Sequence, residues 1–254
     1  MKILLISGHG AGDVGATSKF GVEAEETIYM VKKIKEALSG YATVSLYATE
    51  RNAYKDVINK KLKVDFDDYD YVLELHFNAC VNDIKGNGKT TGTEIYVTTA
   101  EKTVGVEKRI LSELSKFGLK NRGVKKKNFT VIAKAKAQGT SSALLETCFI
   151  DDADDMKIYE EKKDDIAKSI AEAIITQFKL KKTTNVSTSI KKGDTVSIKS
   201  GAVYGGLAKT RGIKVPESVK KKKYEVKQVK THKNVKEALL GGINSWVALK
   251  YLTR

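Results

Sequence analysis

Apolar positions along the chain fall into two rhythms. Residues 3–7, 43–47, 71–76, 93–97 and 144–149 form short runs, wholly apolar or alternating, rich in β-branched and aromatic side chains, and are predicted to be strands. Between them lie longer stretches with helical spacing, over about 24–38, 104–118 and 162–180. The last carries Ile166, Ile170, Ala173, Ile174 and Phe178 on one stripe. Strands alternating with helices predict an α/β domain: a twisted, mostly parallel sheet with helices on both faces. In such sheets ligands sit beyond the carboxyl ends of the strands.

The rhythm changes after residue 180. A polar stretch without apolar periodicity, residues 181–189, reads as a linker. Beyond it, 195–199, 224–229 and 245–252 are β-like runs separated by glycines, with 235–240 allowing one or two helical turns. This portion, 190–254, is predicted to be a small β-barrel. The boundaries are therefore 1–180, 181–189 and 190–254.

Charge follows the same division. The 254 residues carry 46 Lys+Arg against 31 Asp+Glu, a formal net charge of +15. Residues 181–254 hold 18 of the basic and only 4 of the acidic residues, while 1–180 are nearly neutral. With 41% hydrophobic residues the chain belongs to the globular class. No window approaches the roughly 18 consecutive apolar residues of a membrane span. The N-terminal apolar run is too short for a signal peptide, which predicts synthesis in a cytoplasm. Two cysteines make no disulfide framework.

Of three histidines, two stand at strand ends: His9 in Ser7-Gly8-His9-Gly10, and His76 closing the run from Tyr71. In a parallel sheet those ends share an edge. Either imidazole alone is compatible with a satisfied core histidine, but the pair favours a metal, since neutral imidazole is the commonest nitrogen ligand of zinc. A catalytic zinc takes three protein ligands and keeps one position open. His232 belongs to the basic tail, so the third donor is sought among Glu23, Glu25 and Glu26. On a helical projection Glu23 falls within about 40° of the stripe through Ile28, Val31, Ile34 and Leu38, Glu26 about 100° away and Glu25 nearly opposite. Glu23 is predicted to point inward, the other two to lie in solvent and complement the helix dipole.

Glu146 lies inside the apolar run Leu144-Leu145-Glu146-Thr147-Cys148-Phe149. Burying it is costly unless it is paired or near a cation. Beside a metal-activated water it would act as general base and then general acid; on an edge strand it would simply face solvent. Glu74 shares a strand face with His76 and either supports it or is structural. Cys80 is a possible thiolate ligand four residues after His76 or, like Cys148, a small hydrophobe.

Ser-Gly-His-Gly-Ala-Gly-Asp-Val-Gly-Ala at 7–16, Glu23 fourteen residues after His9, Glu74-Leu-His76-Phe-Asn-Ala, Asn121-Arg-Gly-Val and Leu145-Glu146 together resemble the zinc-dependent N-acetylmuramoyl-L-alanine amidases of the Amidase_3 family, most of all those of phage endolysins. The resemblance covers about residues 1–180. It implies one catalytic Zn²⁺ held by His9, Glu23 and His76, Glu146 as the catalytic carboxylate, and Asn78 and Arg122 as substrate contacts, although Asn78 also suits a turn and Arg122 a surface charge. The tail, in Lys199-Ser-Gly-Ala-Val-Tyr-Gly-Gly and Ile243-Asn-Ser-Trp-Val-Ala-Leu-Lys-Tyr-Leu, resembles SH3-like cell-wall-binding modules.

The expected protein is thus a peptidoglycan hydrolase that cleaves between N-acetylmuramic acid and the L-alanine of the stem peptide in Gram-positive walls, made in a host cytoplasm and released with a holin's help. Its basic tail would hold anionic wall polymers. The rival is a basic nucleic-acid-binding protein without hydrolase activity, suggested by the tail and by Lys220–Lys223. That rival leaves His9, His76 and Glu146 unexplained, and the tail has a single Trp and no aromatic stacking array. Neither nucleic acid nor a membrane span is therefore expected.

Overall fold

The computed structural model describes residues 1–182, 190–233 and 235–254. The chain divides into two compact units, Met1–Thr183 and Thr184–Arg254. Most of the expected linker, from residue 183 to 189, lies outside the described residues.

The first unit runs β1 (Lys2–Ser7), β2 (Thr17–Ser18), β3 (Gly21–Val22), α1 (Glu23–Ala37), β4 (Thr43–Leu46), α2 (Ala53–Ile58), β5 (Tyr71–Asn78), β6 (Thr93–Val97), α3 (Gly105–Ser115), β7 (Asn121–Lys126), α4 (Thr130–Ala137), β8 (Ser141–Phe149) and α5 (Ala153–Gln177). Its main sheet has the order β4-β1-β5-β8-β6-β7. The strands β4, β1, β5 and β8 are parallel. β6 runs antiparallel to β8 and carries β7 parallel to itself, so the sheet is mostly, not wholly, parallel.

Strand periodicity sorts β5 into two faces. Tyr71, Leu73, Leu75 and Phe77 pack into the larger core with α1, α3 and α5 residues such as Ile34, Ile110 and Ile170. On the opposite face Val72 joins Leu4, Ile6, Val131 and Ala135 in a second core under α2 and α4. Helices therefore cover both faces. That second cover is short, and Glu74, His76 and Asn78 follow Val72 beyond it.

Among the elements that escaped the sequence pattern are α2, α4 and β7. α2 and α4 are six and eight residues long, too short to display a helical period. β7, Asn-Arg-Gly-Val-Lys-Lys, is an edge strand and mostly polar. The predicted helix at 162–180 begins nine residues earlier, at Ala153, because the Asp152 carboxylate caps it by accepting from the backbone N–H of Asp154 and Asp155.

The second unit contains β9 (Thr195–Ile198), α6 (Glu217–Lys220), β10 (Lys223–His232), β11 (Val235–Leu240), β12 (Ser245–Ala248) and β13 (Leu252–Thr253). They form a five-stranded sheet, β12-β11-β10-β9-β13, with antiparallel pairings around a core that includes Ile198, Tyr224, Val226 and Leu240. The one or two helical turns allowed at 235–240 are a strand instead. Lys, Glu, Ala and Leu there favour a helix, but pairing with β10 on one side and β12 on the other overrides that preference. The single run predicted at 245–252 is broken by a 3₁₀ turn at Leu249–Tyr251.

Candidate active site

β1 ends at Ser7, and after Gly8 the backbone turns at His9 with φ 65°, a left-handed conformation that β-strand residues avoid. The turn carries the His9 ring towards β5. A side chain at Gly8 would stand 2.5 Å from Cε1 of His76, and one at Gly15 would stand 2.7 Å from Oε2 of Glu23. Glycine is thus required at both places for the imidazoles and the carboxylate to meet.

They do meet. Glu23, at the first position of α1, is 3% exposed. Its Oε2 lies 3.1 Å from Nε2 of His9, and its Oε1 lies 2.9 Å from Nδ1 of His76. One donor atom from each of His9, Glu23 and His76 lies within 4.8 Å of the others, and this is the one such His/Cys/Asp/Glu group of three or more among the described residues. Glu25 is exposed as expected. Glu26 is not in open solvent: its carboxylate accepts from the Tyr159 hydroxyl at 2.7 Å and lies 3.7 Å from Lys163.

The second nitrogen of each histidine also has an acid beside it. Nδ1 of His9 is 3.1 Å from Asp13, and Nε2 of His76 is 3.3 Å from Glu74. Such outer carboxylates fix the tautomer and ring orientation of metal-binding histidines. Asn52 in turn donates to Asp13 at 3.1 Å. Asp13 lies in the loop after His9, where no periodicity marks it out. Glu74, which the sequence left undecided, stands as a partner of His76.

Electrostatics agree with a site shaped for a cation. Burial works against charge on Glu23, yet hydrogen bonds from His76 and His9 hold its carboxyl far below the ordinary range. His9 is raised, chiefly by its bond to Glu23. Burial lowers His76, but Glu23 and Glu74 overcome it and leave the imidazole more basic than usual. The anionic groups thus draw positive charge into the cluster, and its two nitrogen donors and one carboxylate oxygen suit zinc.

Glu146 faces this cluster from β8. Its Cα is in register with that of His76 on β5, and both line a cleft of about 350 Å³ with His9, Asp13, Glu74, Tyr54 and Phe129. β8 is interior to the sheet, so the edge-strand alternative does not hold. Burial pushes Glu146 up to about 7, and its Oε2 is buried without a hydrogen-bond partner among the described residues. Neither cysteine belongs to the group. Cys80 is exposed, while Cys148 is buried in the larger core with Sγ 3.9 Å from Sδ of Met156.

Asn78 and Arg122 are brought together by Glu94, which is not among the residues singled out from the sequence. Asn78 Nδ2 donates to Glu94 at 3.0 Å, and Arg122 Nε donates to it at 2.6 Å. Glu94 is 1% exposed and sits across from Glu146 in the β6–β8 register. The alternation of Thr93-Glu94-Ile95-Tyr96-Val97 was the available signal, since it sends Glu94 and Tyr96 to one face.

Two imidazoles and a carboxylate stand at the carboxyl edge of a mostly parallel sheet, faced by a partly buried glutamate, a donor set able to hold a metal ion beside an acid–base group. Comparison with known families gives the particular kind. The Amidase_3 family profile, described as N-acetylmuramoyl-L-alanine amidase, matches residues 3–176, and the chain belongs to that family as an enzyme of this type. The endolysin of Bacillus phage SPP1 is 28% identical over 191 residues, covering 71% of this chain and 67% of its own length. A Clostridium perfringens protein of uncharacterized function is 32% identical over 181 residues, 68% of this chain and 51% of its own. The chain thus matches about half of that relative. Among solved structures, an N-acetylmuramoyl-L-alanine amidase from Clostridium difficile 630 aligns with a TM-score of 0.57 at 21% identity, covering 70% of this chain and 96% of its own. The catalytic domain of the CD27L endolysin, which targets the same species, gives 0.56 at 22%, covering 69% and 97%. These two share the fold of the first unit.

Proposed function

We propose that the protein is a peptidoglycan amidase of the endolysin kind, hydrolysing the amide between N-acetylmuramic acid and the L-alanine of the stem peptide in Gram-positive walls. The observation that carries it is the placement of Glu146 in register with His76, lining one cleft with His9 and keeping an unpartnered carboxylate oxygen. Family membership and the likeness to a phage endolysin support it.

His9, Glu23 and His76 would hold one zinc ion, which when bound supplies a Lewis acid that polarises the scissile carbonyl and acidifies water. Asp13 and Glu74 keep the two imidazoles in the orientation that presents their other nitrogen. Glu146 removes the proton of the attacking water and returns it to the leaving nitrogen of L-alanine. Asn78 and Arg122 contact the substrate beside Glu146. Residues 1–180 form the catalytic domain, 181–189 the linker, and 190–254 an SH3-like module. The antiparallel sheet and lysine-rich composition of that module suit anionic wall polymers. The enzyme acts on the wall after its release from the host cytoplasm. A nucleic-acid-binding role is not favoured, because it gives no part to the clustered donors of the nearly neutral first unit.

Turbidity of purified Gram-positive walls tests the assignment, with bound zinc measured in parallel. Wild type should clear the walls. Glu146→Ala should bind zinc equally and lose at least about a hundredfold in rate. Full lysis by the variant removes Glu146 from the chemistry, and wild-type protein that never takes up zinc removes the metal.

A further inference from the structure

Glu94 accepts from four donors on three strands. Asn78 Nδ2 at 3.0 Å and Tyr96 Oη at 2.7 Å share its Oε1, while Arg122 Nε at 2.6 Å and Lys125 Nζ share its Oε2. A carboxylate has about four lone-pair positions, so Glu94 has nothing left to offer a substrate. It acts as a peg. Burial alone would raise its pKa, but Lys125, Arg122 and Tyr96 hold it lowered and ionised.

Within the Glu94–Arg122–Lys125 group, one buried negative charge against two positive ones leaves +1. The cations also keep free donors. The Arg122 guanidinium stacks 5.0 Å from the Phe149 ring, with Nη1 3.4 Å from the Thr91 carbonyl and, among the described residues, no hydrogen bond from Nη2. The Lys125 ammonium has three N–H groups and, among the described residues, hydrogen-bonds Glu94 alone. Their side chains are 30% and 39% exposed. Sheet register puts them near the chemistry, because Glu94 on β6 pairs with Glu146 on β8, and β7 follows β6. Two strand spacings, about 10 Å, separate β7 from β8.

We propose that Arg122 and Lys125, pinned by Glu94, form a carboxylate-binding subsite for the peptide side of the substrate and so set the direction in which the substrate lies. This rests on the amidase function proposed above. In that reaction the carboxyl of the acyl side is tied up in the scissile amide, and free carboxylates belong to the leaving peptide. A carboxylate on its second residue lies about two residue lengths, roughly 7 Å, from the scissile nitrogen. That length brings it to the β7 side of Glu146. The neutral sugar then lies towards the opposite wall, where Tyr54 of α2 is 51% exposed on the cleft rim.

Two N-acetylmuramoyl tripeptides, differing only in whether the carboxyl of the second residue is free or amidated, provide the test with the full-length zinc-loaded protein. Wild type should have the lower KM for the free acid. Lys125→Gln should raise that KM about tenfold with kcat little changed, leave the KM for the amide unmoved, and abolish the preference. Lys125→Arg should restore it. A thermal melt of each variant separates loss of binding from loss of fold. Equal effects of Lys125→Gln on both substrates, or none on either, overturn the subsite while leaving the amidase function standing. Failure of wild type to cleave either tripeptide overturns both.

Discussion

Glu107 is a carboxyl held by the fold at a cost. It lies in the first turn of α3 and is 1% exposed. Its Oε1 accepts from the Tyr71 hydroxyl at 2.9 Å, and its Oε2 is buried without a partner among the described residues. Burial raises it from 4.5 to about 6. Its folded pKa is therefore the higher one, so its contribution to stability is complete below about pH 4.5 and is lost as pH rises through 6. The loss amounts to about 2 kcal/mol. Glu107→Gln keeps an acceptor for Tyr71 and has no charge to bury. Urea unfolding at pH 4 and pH 7.5 should show wild type losing about 2 kcal/mol relative to the variant between those conditions. Parallel pH profiles would mean that folding does not raise the Glu107 pKa. At this scale legibility depended on regularity. Glu23 was readable because α1 has a clean helical phase, whereas Asp13 sits in a turn and Glu94 has meaning only through its neighbours on β5 and β7.

At the scale of elements, the start of α5 holds the loop that follows β5. Asp152 is 1% exposed and caps the helix with Oδ1, while its Oδ2 accepts from Thr91. Asp154 and Asp155 bind backbone N–H groups at Asn87, Gly88 and Gly92 of the same loop. Asp152→Ala should cost about 2 kcal/mol or more, because it removes a cap and strands the Thr91 hydroxyl. The expected readouts are a lower melting temperature and faster amide exchange over residues 87–92. Unchanged exchange there would detach the loop from the cap. The sequence marked the later turns of α5 by their apolar stripe and missed the first ones. Their signal was a cap residue rather than a period. Short α2, α4 and polar β7 were hidden for a related reason: too few residues repeat to make a pattern.

For the whole molecule, the unequal charge of the two units makes a prediction about anchoring. A fluorescent fusion of residues 184–254 should decorate Gram-positive walls at low salt and come off as ionic strength rises well above about 0.15 M, since exposed charges are screened there within about 8 Å. Binding indifferent to salt would assign the anchor to other contacts. The alternation of strand and helix, the change of texture after residue 180 and the placing of nearly all excess charge in the tail were set by the sequence itself. Local periodicity and composition are properties of neighbouring residues, so they can be read along the chain. His9, Glu23, His76 and Glu146 were also legible, as donor types at strand ends and a helix start. Their convergence, the reversal of β6, the strand at Val235–Leu240 and the four-donor grip of Glu94 were decided by tertiary structure alone. Each depends on which strands pair and in what register, and pairing energy comes from residues far apart in the chain.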